Sequence, residues 1–494
     1  MKTEEKLISD LSKKASHTVE KLKKHQIKTL VPNEKQCVDS DSITLDYSRQ
    51  FINQEVINAL TSIIGVKNLK EKVADLFSGR EMALHTVFRE GREGGLRDNG
   101  FTIEMDQQII KMHEFCDNLE NGEIRGWKNS RIKNVIFIGL GGSIIPQKLV
   151  HKALRNEYQS STLKFGFFSN PDGVELCDHL AKCDAESTFF VIQSKSFETP
   201  ELFFLFDCSK KWLLAHGCEK KILLSHFAVV TSNRKKAIET GFLKELILEI
   251  PDKVGGRFSI WSAMGVSLAL LIGKANFGKF LLGAKNMDRH FSETEACQNL
   301  PMIMALISIW NRSFLNFPTQ LVVNYSSVLD NLVPYLQQVE MESLGKSIGK
   351  ANSRVAYATS SVIWGGSGYD GQHAYFQLLH QGTDIVPTDF FEVLQNSSKK
   401  HLPTVSLYTK ENVRAQANAL AVGSPREGFD GNRPSSIVSL KRISPFSLGE
   451  LMAMIEHKVF TQSIFWNINC FDQPGVELGK QLLFTKTKNI SGKR

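Results

Sequence analysis

Residues 134–143 read Asn-Val-Ile-Phe-Ile-Gly-Leu-Gly-Gly-Ser, and the fold is read outward from them. Asn134 to Ile138 is a short apolar, β-branched run, which predicts a fully buried strand. It ends in Gly139, Gly141 and Gly142, and Ser143 follows. Glycines let a backbone turn sharply and come close to a ligand. A helical pattern runs from Ile145 to Tyr158. Strand, glycine loop and helix N-terminus together make an anion seat of free N–H groups, a dipole end and a hydroxyl, with Gly142 and Ser143 as candidate contacts. The same residues also describe a tight strand–helix turn that holds nothing. No Gly-Lys-Ser/Thr closes the loop, and Ile144 stands where a dinucleotide fingerprint wants a third glycine. The loop therefore suits a phosphate and not a nucleotide.

Outward from this strand the chain alternates. Further strands are expected at Lys164–Phe168, Thr188–Gln193, His226–Thr231 and Leu246–Ile250, with helical patterns at about 145–158, 173–182, 199–215 and 233–245. That rhythm predicts a parallel sheet covered on both faces. A second α/β unit follows. Its expected strands are Gln320–Asn324, Ser361–Trp364, Asp384–Asp389 and Thr404–Tyr408, and its helical stretches are Leu329–Val339, 371–381, 410–422 and 447–463. Ahead of the first strand, residues 1–30 predict an amphipathic helix or arm and 31–44 a polar linker. A helical pattern starts at Leu45, passes Ile64 and continues to about 130, broken by a Gly- and Arg-rich loop at 90–100. Ile260 to Gly273 is the longest nearly apolar stretch. It is too short and too interrupted for a membrane span and reads as a core helix.

The 494 residues exceed one ordinary core and predict two or three domains. A hydrophobic share of 42% and a charged share of 23% are those of a soluble globular protein. The net charge of +8 suits an anionic metabolite. No Lys/Arg stripe interleaved with aromatics points to nucleic acid. The eight cysteines form no Cys-x-x-Cys and no zinc spacing. They read as reduced thiols of a cytosolic protein, mostly core fillers, with Cys470 taken as packing. The first residues lack the apolar run of a signal peptide.

A second hydroxyl-rich loop, Gln193-Ser-Lys-Ser-Phe-Glu-Thr-Pro200, follows the third strand of the first unit. In a flavodoxin-like strand order, strands one and three meet at the switch point, where ligands bind beyond the carboxyl ends. The two loops then face one ligand. Ser194, Lys195, Ser196 and Thr199 suit a phosphate dianion, although Ser196 or Thr199 alone would serve equally as a helix N-cap. Gly255 and Gly256 set a bend before Arg257. A surface Arg is usually solvated, but one fixed beside a Gly-Gly turn ahead of a helix suits an oxyanion.

With the motifs Val254–Gly265, Gln337–Lys346, Gly371–Gly382, Phe429–Ser435 and Phe471–Lys480 in view, the chain resembles the glucose-6-phosphate isomerase (phosphoglucose isomerase) family from about Leu45 to Leu482. The resemblance implies an α/β fold of two sugar-isomerase-type αβα sandwich domains with parallel sheets. It sets an N-terminal helical extension at 1–130, a first domain at 131–270, a second at 271–465, and a C-terminal active-site segment and tail at 466–494. It implies a cytoplasmic homodimer with shared active sites, no metal and no organic cofactor, and no nucleic-acid or membrane partner. The implied substrate is a phosphorylated hexose, glucose 6-phosphate or fructose 6-phosphate, interconverted in glycolysis and gluconeogenesis. The family's phosphate grip falls on Ser143, Ser194, Lys195, Ser196 and Thr199, and its enediolate-stabilising pair on Gly256 and Arg257. Its base falls on Glu342, its preceding Gln on Gln338, and its ring-opening His on His373, supplied across the dimer. The C-terminal Gln and Lys fall on Gln473 and Lys480. The sequence departs from the family pattern at Ile144, Leu344, Gly366 and Pro474, none of which removes a chemical group named above.

These residue types match what an aldose–ketose isomerisation requires. One base must carry a proton between adjacent carbons, and a carboxylate with a raised pKa in a partly dry site does this at neutral pH. Ring opening needs an acid and a base, for which histidine titrates in the right range and Lys480 can attend the ring oxygen. The enediolate needs a fixed cation, and removing such a donor typically costs about 3–4 kcal/mol of barrier. The remote phosphate holds the sugar in register. Outside any such site, Glu342 would read as a solvated helix-end residue, His373 as a histidine satisfied at a helix start, and Lys480 as an ordinary exposed lysine. His380 reads as structural.

Overall fold

The computed structural model describes residues 2–23, 36–79, 83–90, 100–395, 403–476 and 479. Most of the loop expected at 90–100 lies outside them, as does Lys480. Eleven strands are present among the described residues: β1 (Cys37–Asp39), β2 (Ile43–Arg49), β3 (Asn134–Gly139), β4 (Lys164–Phe168), β5 (Thr188–Gln193), β6 (Phe227–Thr231), β7 (Ile247–Glu249), β8 (Thr319–Asn324), β9 (Val362–Ser367), β10 (Thr388–Gln395) and β11 (Ser435–Arg442).

The first sheet has the order β4-β3-β5-β6-β7 and is parallel throughout. This is the flavodoxin-like order, with β3 and β5 adjacent. Every residue of β3, β5 and β6 is buried, as expected of strands covered on both faces. The pleat sends successive side chains to opposite sides. Val135, Phe137, Phe189 and Val191 join the large central core, while Ile136, Ile138, Phe190 and Ile192 meet the helices Val174–Leu180 and Pro200–Ala215 on the other face.

The second sheet has the order β1-β2-β11-β10-β8-β9. Its parallel part, read β9-β8-β10-β11, repeats the order of β4-β3-β5-β6. In place of a fifth parallel strand it has β2, which runs antiparallel to β11, with β1 antiparallel to β2. The second sheet is thus mixed, not parallel. Residues 37–39 and 43–49, expected as linker and helix start, are strands. Ile43–Arg49 alternates buried and half-buried side chains with a strict period of two, the mark of a strand lying on a core, and the helix begins only at Gln54, capped by Asn53. Two other expectations change. Thr404–Tyr408 lies within the helix Pro403–Val422, and Asp384–Asp389 is largely loop before β10. The fourth parallel strand is instead β11, which follows the Gly- and Pro-rich stretch 428–434.

Between the two sheets run the helices Val266–Glu293 and Pro445–Trp466. Their backbones touch. A Cβ at Gly283 would lie 1.9 Å from the Phe446 carbonyl oxygen, and one at Gly449 would lie 2.0 Å from that of Phe280. Only glycine allows such an approach. The apolar stretch beginning at Ile260 enters the first of these helices, which bends at Gly273 (φ 75°, ψ 163°). The span Ala263–Glu293 is long and apolar enough to cross a membrane, but 56% of its apolar window is buried inside the protein.

Candidate active site

The loop after β3 closes as a tight turn, Gly141–Ser143, with Gly141 at φ 52°. Gly142 sits against the Gly256–Arg257 turn, where an added Cβ would fall 2.2 Å from the Arg257 nitrogen. The first loop and the Arg257 bend are therefore in backbone contact, far apart though they are in sequence. Ile144 is fully buried, and Gln147 Nε2 donates to the Ser143 carbonyl at 2.7 Å. Ser267 in turn donates to the Gln147 side chain. A buried isoleucine and a glutamine clamp thus hold the start of the helix Ile145–Tyr158.

The loop after β5 is fixed from several sides. Ser194 Oγ accepts from the Phe197 N–H at 3.1 Å, and Phe197, fully buried, holds a left-handed φ of 52°. The Lys195 carbonyl accepts from the Thr231 and Ser232 hydroxyls and from the Ser232 N–H. Thr199 stands at the N-cap of the helix Pro200–Ala215, yet its side chain makes no capping bond. Burial pulls the Lys195 ammonium below the usual lysine range, partly offset by Asp252. A phosphate there would oppose that shift, because a nearby negative charge favours the ammonium form.

Arg257 is 2% exposed and uses all three guanidinium nitrogens. Nε donates to Ser343 Oγ at 2.7 Å, Nη1 to Glu342 Oε2 at 3.3 Å and to Gln473 Oε1 at 3.1 Å, and Nη2 to the carbonyls of Cys470 and Asp472. Burial lowers its pKa from the ordinary arginine value, and Glu342 opposes that shift. The group stays cationic, as arginine does in proteins. Lys346 adds a second tie to the C-terminal segment through Asp472, at 2.6 Å. Cys470 is buried beside this network, and its thiol is pushed up by burial, as a packing residue. Gln338 and Glu342 lie on a π-helical turn, Gln337–Glu342, a wide turn common at functional sites. Gln338 Oε1 is buried with no partner among the described residues.

These groups share one cavity of about 630 Å³ at the carboxyl ends of β3 and β5, the switch point of the first sheet. Gly142, Ser143, Ser194, Lys195, Ser196 and Thr199 line it together with Gly256, Arg257, Gln338, Glu342 and Gln473. Glu201 also lines it, with one carboxylate oxygen buried and unpartnered among the described residues. Glu201 carries no signal in the sequence, since an acidic residue in a first helical turn is ordinary. His373 is not in this cavity. It ends the short helix Gly368–Gln372 and is exposed. Among the described residues no three of His, Cys, Asp and Glu converge to hold a metal ion.

A family model described as phosphoglucose isomerase matches residues 46–493. A glucose-6-phosphate isomerase of Ectopseudomonas mendocina is 38% identical over 477 residues, spanning 90% of this chain and 86% of its own. One from Campylobacter jejuni is 37% identical over 487 residues, spanning 92% and 88%. The crystal structure of a glucose-6-phosphate isomerase from Chlamydia trachomatis superposes with a TM-score of 0.84 at 28% identity, covering 98% of this chain and 96% of that one. Nearly the whole chain, with both of its sheets, is matched in sequence and in three dimensions, and it belongs to the phosphoglucose isomerase family.

Proposed function

We propose that this protein interconverts glucose 6-phosphate and fructose 6-phosphate through an enediol(ate), with Glu342 as the base that moves the proton between C2 and C1. Ser143, Ser194, Lys195, Ser196 and Thr199 grip the phosphate, with the Gly142 backbone beside them. Arg257, seated by Gly256, stabilises the charge growing on O1 and O2. Gln338 and Gln473 orient the sugar. The observation that carries this reading is that the hydroxyl- and lysine-bearing loops and the Arg257–Glu342 pair line one cavity. The anchored phosphate fixes C1 and C2 against the carboxylate, and the buried arginine needs no reorganisation as charge develops.

His373 acts in ring opening and is contributed across a homodimer, as the partner subunit's His373. Its exposure at a helix end, away from the cavity of its own chain, supports that role. The exposed Tyr369 and Leu378 nearby are apolar surface for a second copy to cover. Lys480 attends the ring oxygen. The two α/β units, 131–270 and 271–465, act as one site because the second supplies Glu342 to the phosphate loops of the first. The reaction runs in the cytoplasm with no cofactor, as a step of glycolysis and gluconeogenesis.

The test is a coupled assay on the purified protein with fructose 6-phosphate, reporting glucose 6-phosphate. Turnover is expected. Binding of the phosphosugar without turnover would identify a sensor in an isomerase fold, and equal use of mannose 6-phosphate would broaden the substrate class.

A further inference from the structure

Behind the proposed base lies a buried charge cluster that the chemistry above does not use. The π-turn Gln337–Glu342 presents Gln338 and Glu342 to the cavity and Glu340, between them, to the core. Glu340 is 4% exposed, and its two carboxylate oxygens accept from the Lys458 ammonium at 2.7 and 2.9 Å. Lys458 is 2% exposed and lies in the buried helix Pro445–Trp466. Asp389 of β10 completes the cluster, with Gln320 donating to its carboxylate. Burial pushes the Asp389 carboxyl above its usual range, against the pull of Lys458.

A buried ion pair stabilises a fold no better than well-packed apolar groups of the same volume. What it supplies here is direction. A π-turn is a rare local geometry, and relaxation to a plain α-helix would slip the register by one residue, turning Glu342 about 100° around the axis. On its cavity side Glu342 itself has one polar contact among the described residues, Arg257 at 3.3 Å. On the core side Glu340 is gripped at both oxygens.

We infer that the Lys458–Glu340 pair is a positioning device, which locks the π-turn from behind and so aims Glu342 and Gln338 into the cavity. This rests on the reading of Glu342 as the base. Neither Lys458 nor Glu340 touches substrate.

The test is the double variant Glu340→Met/Lys458→Met, which removes both charges together and keeps an apolar core. It is expected to fold with a Tm near the parent's, to be inhibited by inorganic phosphate as the parent is, and to lose about 100-fold in kcat, the cost of a misplaced reacting group. Faster amide hydrogen exchange over residues 337–342 should accompany the loss. The variant Glu340→Asp keeps both charges but shortens the anchor. It should lower kcat with phosphate inhibition unchanged, and it decides the matter if the double variant does not fold. Parental kcat in either folded variant overturns the inference, as does a fall in kcat matched by an equal loss of phosphate affinity. A parent without turnover would instead overturn the isomerase reading, and the exchange measurement would still report whether the pair holds the turn.

Discussion

Among the described residues Glu342 has one polar partner in the cavity, Arg257, and that arginine is spent on four other groups as well. Replacing the carboxylate by an amide keeps its size and its hydrogen bond but removes its proton affinity. Glu342→Gln is expected to bind a phosphosugar nearly as well as the parent and to lose most of its turnover, by about 100-fold or more. Full rate in that variant, measured with fructose 6-phosphate, would place the base elsewhere. Gly142 tests the seam between the glycine loop and the Arg257 turn. Its Cβ position lies 2.2 Å from the Arg257 nitrogen, so Gly142→Ala must part the phosphate loop from the Arg257 turn. It is expected to raise KM and to cost about 1–3 kcal/mol of stability, as overpacking does, measured by thermal unfolding. Individual letters announced much of this. The hydroxyls of the two loops and the Gly-Gly-Arg bend were readable because their chemistry is carried by residue type. The Gln147 clamp on Ser143 was not, since a glutamine in a helix looks the same whether it faces water or a carbonyl.

Among the elements, β2 is one that sequence patterning misassigned, and it also carries a pH-sensitive joint. At its start, the Ser42 N–H donates to Glu450 Oε2 at 2.9 Å, and Asn286 Nδ2 donates to Glu450 Oε1 at 2.8 Å. Glu450 thereby links the β1–β2 turn to the helices Val266–Glu293 and Pro445–Trp466. Burial first, and then Asp41, push its carboxyl up to about 7. A pKa raised in the folded state means that the folded protein holds the proton longer. The stability contributed is full below the unfolded value near 4.5 and is lost as pH climbs through 7. The parent is therefore expected to lose stability between pH 5 and 7.5, by up to roughly 3 kcal/mol from this group. Glu450→Gln should flatten that slope, whatever its absolute Tm, in melts run across the range. An unchanged slope would assign the pH dependence to other groups.

Taken whole, the molecule is built on two sheets with the same order of parallel strands, one ending in β7 and the other closed by the antiparallel β2. The cavity belongs to the first sheet, but its carboxylate arrives on the helical segment after β8 of the second. A shared site in a dimer can be tested without a structure. Subunits carrying Glu342→Gln and subunits carrying His373→Ala should each be nearly inactive alone. Mixed, dissociated and reassembled in equal amounts, they should recover about a quarter of the parental activity, because each hybrid then holds one intact site. No recovery, with hybrids present by mass, would mean that His373 serves the site of its own chain or none.

Elements whose burial is written locally are legible in the chain alone. The β3 strand and its glycine loop, the helix Ile145–Tyr158 and the strand Thr188–Gln193 emerge with nearly the bounds expected, because a run of apolar β-branched residues or a 3.6-residue period needs no neighbour to be recognised. The motifs likewise pointed to the loop hydroxyls, Arg257 and Glu342, which line one cavity. Tertiary structure alone decided that β2 would pair antiparallel with β11, that Thr404–Tyr408 would be helix, that Gly142 would meet Arg257, and that Glu340 would turn inward to Lys458. Each of these depends on contacts between residues distant in the chain. Whether a carboxylate faces a cavity or a buried ammonium is set by which helix packs behind it, and local periodicity carries no record of that.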